Sequence, residues 1–202
     1  MAPVVPNPAR IQAFKDQRAF EKWMRANHDT EPEIWVKVFK KAAGVPTVTC
    51  AEALDVALCY GWIDAIRKGL DETAFLQRYT PRRSQSMWSQ INRGNVARLT
   101  RAGRMTAHGQ KQIDLARADG RWDRAYAPIR ESGAKSIPPD LMKAIKRNPR
   151  ALTTFKTLSK MNLFSLTFRT NNMKTPEGRA RKIAQLVTML ADGRTIVPQK
   201  TR

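Results

Sequence analysis

Hydrophobic residues in the first 80 positions recur with two different spacings. Phe20, Trp23 and Met24 recur at the spacing of a helix, and Asp16 before them is a residue type that caps helix N-termini. Residues 34–40 (IWVKVFK) form a short run rich in β-branched and aromatic side chains. Such a run is too short for a helix and favours a strand. The pattern therefore predicts a helix after Asp16 and then a strand.

A second helix and two more strands are predicted in the same region. Thr49 and Glu52 have the spacing of a capping box, in which each side chain bonds the backbone amide of the other residue. The helix that they begin is expected to end just before Gly61, since glycine commonly follows a helix. Residues 62–67 and 74–80 have the composition of strands and flank a polar turn.

Beyond this region the hydrophobic spacing becomes helical. One helix with a single apolar face is predicted to end at Gly103. The residues of that face are Trp88, Ile91, Val96 and Leu99. Further helices are predicted to begin at residues that cap or start helices, namely Thr106, Pro138, Asn148, Ser159 and Thr175.

The segment 128–139, which contains three prolines and a glycine, is the strongest linker signal in the chain. It predicts two domains, at residues 1–132 and 133–202. The predicted fold class is α+β, with a small N-terminal α/β unit built on a short sheet and a mainly helical C-terminal half.

Composition indicates a folded protein. Hydrophobic residues make up 42% of the chain, with five Trp and seven Phe. No run approaches the length of apolar sequence that crosses a bilayer, and the first residues lack the pattern of a signal peptide. Two cysteines, Cys50 and Cys59, agree with a reducing compartment. The expected location is the cytoplasm.

Metal and cofactor chemistry have no motif in the sequence. His28 and His108 lie far from the cysteines and match no zinc-ligand spacing, so both are expected at the surface. Cys59 has no neighbouring histidine to activate it and is expected to pack as a small buried residue. Neither a metal site nor a cofactor is predicted.

Charge is distributed very unevenly along the chain. Residues 1–80 carry 11 Lys/Arg and 10 Asp/Glu, a net charge of +1, whereas residues 81–202 carry 26 and 7, a net charge of +19. A small domain remains soluble with a net charge of roughly 2–8. The excess indicates affinity for an anionic partner: nucleic acid, an acidic protein surface or anionic lipid head groups.

Several motifs resemble the YdeI/OmpD-associated family, also called bacteriocin-protection proteins. In the N-terminal half they are residues 48–54 (VTCAEAL), 59–64 (CYGWID), 76–83 (LQRYTPRR) and 88–92 (WSQIN), continued by 103–106 (GRMT) and 119–122 (DGRW). A second resemblance spans residues 137–196 and includes 174–183 (KTPEGRARKI). The resemblance implies a role in stress or bacteriocin resistance, an outer-membrane partner suggested by the family name, and no agreed catalytic activity.

Seven aromatic and charged residues form the predicted ligand-binding set: Tyr60, Trp62, Asp64, Arg78, Arg82, Arg83 and Trp88. An arginine-rich loop before a helix N-terminus suits a phosphate or another anion, since guanidinium groups and exposed amides attract the same charge. If the two predicted strands pair, Asp64 could meet Arg78. The structural alternative is that this ion pair only fixes the sheet and that Ser84 or Ser86 only caps the helix.

Three hypotheses of function follow. The first is a non-catalytic protective protein that binds an anionic partner through the arginine-rich loop and the basic helices. The second is a nonspecific nucleic-acid-binding protein that contacts phosphates through the basic helices. The third is an enzyme that uses two of Glu52, Asp55 and Asp64 for acid–base chemistry, although no nucleophile or metal set accompanies them.

Overall fold

The computed structural model describes residues 4–199, which divide into two compact units between Ala125 and Tyr126. Within residues 4–199, the N-terminal unit contains a sheet and four α-helices, and the C-terminal unit contains α-helices and short 3₁₀ turns. The predicted α+β class is confirmed. The sequence signal for a linker lies at 128–139, just after the division that the structure has.

A four-stranded sheet, ordered β1-β2-β4-β3, organises the N-terminal unit. Its strands are β1 (Ile11–Ala13), β2 (Ile34–Phe39), β3 (Trp62–Gly69) and β4 (Ala74–Pro81). β1 pairs with β2 in parallel, and the other two pairings are antiparallel. The three strands predicted from the sequence are confirmed as β2, β3 and β4, and the polar turn joins β3 to β4 as a hairpin.

The helices of this unit begin at side chains that satisfy their first backbone amides. They are α1 (Gln17–Asn27), α2 (Cys50–Cys59), α3 (Gln90–Arg101) and α4 (Ala107–Ala118). The capping box at Thr49 and Glu52 is confirmed, with both reciprocal bonds formed. Gly61 follows α2 with φ of 74°, a left-handed conformation that glycine adopts without strain.

The apolar face predicted for α3 is wrong at its first turn. Trp88 precedes the helix, because Ser89 is the N-cap and accepts a hydrogen bond from the Asn92 amide. Ile91 is 49% exposed, whereas Val96 and Leu99 are buried as expected. The two candidates from the sequence, Ser84 and Ser86, therefore do not cap α3.

The core of the N-terminal unit packs the helices on the sheet. Its largest fully buried side chains include aromatic residues from α1, the strands and the loop after β4: Phe20, Trp35, Trp62, Tyr79 and Trp88. Phe20 and Trp23 stack with their rings 10° from parallel, and the Trp62 ring meets Trp23 edge-on. The aromatic residues noted in the sequence are thus largely core residues.

The C-terminal unit is built from four helices: α5 (Pro139–Lys146), α6 (Pro149–Lys156), α7 (Lys160–Asn171) and α8 (Pro176–Ala191). The four predicted helix starts are confirmed. A separate core packs them together, with fully buried leucine and isoleucine from three helices: Leu141, Ile145, Leu166 and Leu190. The buried Asn162 amide bonds the backbone of Val197 in both directions and holds the chain that follows α8.

Short 3₁₀ turns complete the described chain, at Pro8–Arg10, Lys41–Ala43, Ile129–Glu131 and Ala134–Ser136. Within residues 4–199, no helix combines the length and the apolar character that crossing a membrane requires.

Candidate functional site

The seven predicted ligand-binding residues all lie in the N-terminal unit, and the structure distributes them over three environments. Arg78 faces a carboxylate just before β2. Arg82, Arg83 and Trp88 belong to the loop between β4 and α3. Tyr60, Trp62 and Asp64 lie at the end of α2 and along β3.

Arg78 does not pair with Asp64, so that expectation is wrong. Asp64 lies opposite Tyr79 in the β3–β4 register, and neighbouring residues on a strand point to opposite faces. The Nε group of Arg78 instead donates to Glu33 Oε2 at 2.6 Å, and its guanidinium lies 5.8 Å from the Trp35 ring centroid. Glu33 also accepts a bond from Trp35 Nε1 at 3.2 Å. The guanidinium of Arg78 is therefore held by neighbours at the start of β2.

Arg82 is a buried residue, with 6% of its surface exposed. Its guanidinium carbon lies 3.5 Å from the centroid of the Trp88 ring, and its Nη1 donates to the Met87 carbonyl at 3.3 Å. Its backbone amide donates to the Gly61 carbonyl at 3.0 Å, which ties the loop to the end of α2. Arg83, the next residue, is exposed.

The stack continues from Trp88 to a second tryptophan. Trp88 and Trp122 meet edge-on with centroids 4.9 Å apart, and the guanidiniums of Arg93 and Arg117 lie 5.2 Å and 5.3 Å from the Trp122 centroid. A chain of contacts thus runs from Arg82 through the two tryptophans to Arg93 and Arg117. The sequence places Trp122 in a motif but gives no sign that it meets Trp88.

The same loop is held by Arg121. The Nη1 group of Arg121 donates to the Ser86 carbonyl at 2.9 Å, while its Nε group donates to Asp119 at 2.7 Å. The largest cause lowering the pKa of Asp119 is this Arg121 hydrogen bond. Two arginines of the region therefore support the loop, and Arg83 is left to face solvent.

Tyr60 and Trp62 meet a residue that the sequence places at the surface. His28 has only 11% of its side chain exposed, so its expected surface position is wrong. The Tyr60 ring lies 5.2 Å from the His28 ring, and Trp62 Nε1 donates to the His28 carbonyl at 3.1 Å. Asp64 lies on the exposed side of β3, yet desolvation by its neighbours raises the pKa of its carboxyl.

The carboxylates considered for acid–base chemistry have separate partners. Glu52 closes the capping box of α2. Asp55 accepts a bond from Arg98 Nη2 at 2.6 Å, so it is paired rather than solvated. Neither makes a hydrogen bond to Asp64 within residues 4–199.

The C-terminal unit has the higher net positive charge per residue. Residues 126–202 carry 16 Lys/Arg and 4 Asp/Glu, a net charge of +12, against +8 for the longer segment 1–125. Between Asp140 and Glu177 there are eight cations and no acidic residue: Lys143, Lys146, Arg147, Arg150, Lys156, Lys160, Arg169 and Lys174. All eight are exposed, and none takes part in an ion pair within the described part of the chain. We call these eight residues the basic surface.

Three of the eight cations of the basic surface share one face at the C-terminal end of α5. Lys143, Lys146 and Arg147 follow the i, i+3, i+4 spacing that brings side chains together on one helix face. The buried residues Leu141 and Ile145 occupy the opposite face, so the three cations point away from the core. Two of these cations also lie in the last turn of α5, where the helix dipole favours positive charge.

Comparison with known proteins assigns each unit separately. Residues 12–112 match the family model described as a domain of unknown function (DUF8412). Residues 136–193 match the family model described as bacteriocin-protection, YdeI or OmpD-associated. No curated protein and no solved structure matches the chain. The basic surface lies entirely inside the second match.

Proposed function

From the match of residues 136–193 to the bacteriocin-protection, YdeI or OmpD-associated family we propose a non-catalytic protective function for this chain, which belongs to the DUF8412 family through residues 12–112. The C-terminal unit binds an anionic partner through the basic surface on α5, α6 and α7. The protein acts in the cytoplasm under stress or bacteriocin exposure, in agreement with its two free cysteines.

One observation carries this proposal. The eight cations of the basic surface are exposed, and no acidic residue interrupts the sequence between Asp140 and Glu177. A solvated surface made for solubility mixes the two signs of charge. A stretch that keeps one sign over three helices produces a field that attracts and orients a polyanion.

We propose the C-terminal unit rather than the arginine-rich loop as the binding surface, because two of the three arginines of the loop are already engaged. Arg78 is paired with Glu33, and Arg82 is buried against Trp88. Neither guanidinium therefore faces solvent, where it would have to lie to bind an anionic partner. Arg83 alone of the three is exposed. We infer that the loop contributes at most one charge to binding.

The test is binding to three anionic probes: duplex DNA, single-stranded RNA and vesicles containing an anionic phospholipid. Affinity is measured at about 50 mM and about 200 mM salt, because contacts with a polyanion weaken steeply as salt rises. The triple variant Lys143→Gln/Lys146→Gln/Arg147→Gln should bind more weakly to the preferred probe. On duplex DNA its salt slope should fall by about one for each phosphate that the variant no longer neutralises.

A matched control removes the same charge from the other unit. Lys15, Arg18 and Lys22 are exposed, and the variant Lys15→Gln/Arg18→Gln/Lys22→Gln should bind as the unaltered protein does. Equal weakening in the two triple variants would mean that only net charge matters and would reject the basic surface. Failure of all three probes to bind at low salt would reject anion binding.

The protective function is tested separately in cells. Bacteria producing the chain are exposed to a bacteriocin or to envelope stress, and their survival is compared with that of cells producing each triple variant. We expect protection to decrease only with the α5 variant. Full protection by that variant, at an equal protein level, would separate the function from the basic surface.

A further inference from the structure

The only two histidines of the chain meet in the N-terminal unit. The rings of His28 and His108 lie 4.0 Å apart between centroids, with their planes at 73°. The carboxylate of Asp29 lies beside both, with Oδ1 at 3.1 Å from His28 Nε2 and at 3.7 Å from His108 Nδ1. This cluster is separate from the basic surface and is not used by the proposed function.

The fold brings the cluster together through two helix ends. His28 is the C-cap residue that follows α1, and His108 lies in the first turn of α4. Gly109 allows α4 to approach the end of α2 closely, because a Cβ there would lie 2.7 Å from the Leu58 carbonyl oxygen and would also meet the Cys59 carbonyl. Thr106 reinforces the approach by donating its hydroxyl to the Cys59 carbonyl at 2.5 Å.

Hydrogen bonding sets the orientation of the His28 ring. Its Nδ1 lies 3.0 Å from the Met24 carbonyl, which accepts only, so Nδ1 carries the proton. In neutral imidazole this leaves a lone pair on Nε2. That nitrogen is buried, and within residues 4–199 it makes no hydrogen bond: Asp29 Oδ1 lies 3.1 Å away, but neither atom carries a proton to donate to the other. Ring nitrogens that ligate metals are commonly oriented by a bond of this kind at the other nitrogen.

The geometry points to a binding site for a divalent transition metal, with Zn²⁺ the best fit, formed by His28 Nε2, Asp29 Oδ1 and His108 Nδ1. These atoms lie within 4.8 Å of one another. Donors at about 2.0–2.2 Å from a tetrahedral Zn²⁺ are about 3.3 Å apart, so small side-chain movements close the site. Two imidazoles and one carboxylate suit Zn²⁺, whereas Mg²⁺ and Ca²⁺ prefer oxygen ligands throughout.

The site has an open side. The Asp29 and His108 side chains are 69% and 48% exposed, so a metal held here would keep a coordination position for water or an anionic ligand. The competing explanation is a protonated His28 that donates from Nε2 to Asp29. That arrangement needs no metal, and it predicts a cluster that metal ions neither stabilise nor occupy.

The test uses untagged protein with Zn²⁺ and with Co²⁺, whose visible absorption reports nitrogen and oxygen coordination. We expect stoichiometric Co²⁺ binding with absorption bands of a four- or five-coordinate site, displacement by Zn²⁺, and a rise in the N-terminal unit's melting temperature. His108→Asn, at a half-exposed position, should weaken Zn²⁺ binding about tenfold or more. Asp29→Asn should do the same.

Two control variants distinguish the site from adventitious binding. Asp114→Asn removes an exposed carboxylate from the same helix as His108, and Cys50→Ser removes a partly exposed thiol; both should bind Zn²⁺ normally. Equal Zn²⁺ affinity in His108→Asn and the unaltered protein would overturn the proposal, and so would equal stabilisation by Mg²⁺. The double variant His28→Gln/His108→Asn, checked by circular dichroism for folding, should lose the Co²⁺ spectrum entirely.

Discussion

The guanidinium of Arg82 lies over the indole ring of Trp88, with its central carbon 3.5 Å from the ring centroid. The contact is buried, and buried cation–π contacts contribute about 2 kcal/mol or more to stability. It fixes the loop that leads from the sheet into α3. An arginine that the sequence places in a binding loop is thus used for structure.

Replacing this arginine by lysine tests the contact. Arg82→Lys keeps the charge but loses the planar group that stacks on the ring, and we expect it to lower the free energy of unfolding by about 1–2 kcal/mol. Arg83→Lys alters the adjacent exposed residue and should change stability by less than about 0.5 kcal/mol. Tryptophan fluorescence during urea unfolding measures both. Equal stability of the two variants would contradict the prediction.

Alanine should have opposite effects at two helical glycines, because only one of them lies where α4 closely approaches α2. Gly109→Ala places a Cβ against the carbonyls of Leu58 and Cys59, and we expect a loss of about 1–3 kcal/mol. Gly94, inside α3, has no atom within 4 Å of an added Cβ. Gly94→Ala should therefore stabilise by up to about 1 kcal/mol, because alanine has the higher helix propensity. Thermal unfolding compares them, and destabilisation by both would refute the packing argument.

The two cysteines are expected to differ in reactivity. Burial raises the pKa of the Cys59 thiol to about 11, and the residue is 3% exposed. Cys50 is partly exposed. Desolvation raises the pKa of its thiol, and the positive charge of the nearby Arg67 partly offsets that increase. At about pH 8 a thiol reagent should label Cys50 first, since only the exposed thiolate reacts. Mass spectrometry of the labelled protein identifies the site, and early labelling of Cys59 would contradict its buried position.

A bidentate ion pair predicts pH-dependent stability in the C-terminal unit. Arg179 donates to Asp140 from Nε at 2.6 Å and from Nη2 at 2.9 Å. This hydrogen bonding is the largest cause that lowers the pKa of Asp140 below its ordinary value of 3.8. A lowered carboxyl pKa means that the stabilisation is present above about pH 4 and is lost as the pH falls through the lower, folded-state value.

Asp140→Asn should therefore lower the melting temperature of the C-terminal unit at neutral pH. Because the carboxylate is 45% exposed, we expect only about 0.5–1 kcal/mol. The difference from the unaltered protein should close as the pH falls below the lowered, folded-state pKa of Asp140. Arg181→Gln, an exposed change on the same helix as Arg179, should leave this pH dependence intact. A difference that persists at low pH would assign the effect to packing instead.

The features predicted correctly from the sequence depend on neighbouring residues. The capping box at Thr49 and Glu52 and the start of α8 at Thr175 act within three or four positions, so their signals are complete in a short window. The start of α3 is ambiguous in the sequence because Ser84, Ser86 and Ser89 are all suitable caps. Only the fold determines that Ser89 takes the role.

Contacts between distant residues are not predictable in this way. The sequence favours a meeting of Arg78 with Asp64, but pairing of β4 with β2 brings Glu33 beside Arg78. His28 and His108 lie at the ends of different helices, and no spacing in the sequence indicates that they meet. Lateral neighbours in a sheet and contacts between helix ends are set by topology, which a single sequence encodes only through the whole core.

The separate cores have a practical consequence for spectroscopy. All five tryptophans precede Ala125, and the core of the C-terminal unit is aliphatic apart from Phe155. Indole emission therefore reports unfolding of the N-terminal unit, which holds every tryptophan, whereas the far-ultraviolet helical signal reports unfolding of both units. Disagreement between the two optical curves would expose sequential denaturation, for which one transition temperature has no meaning.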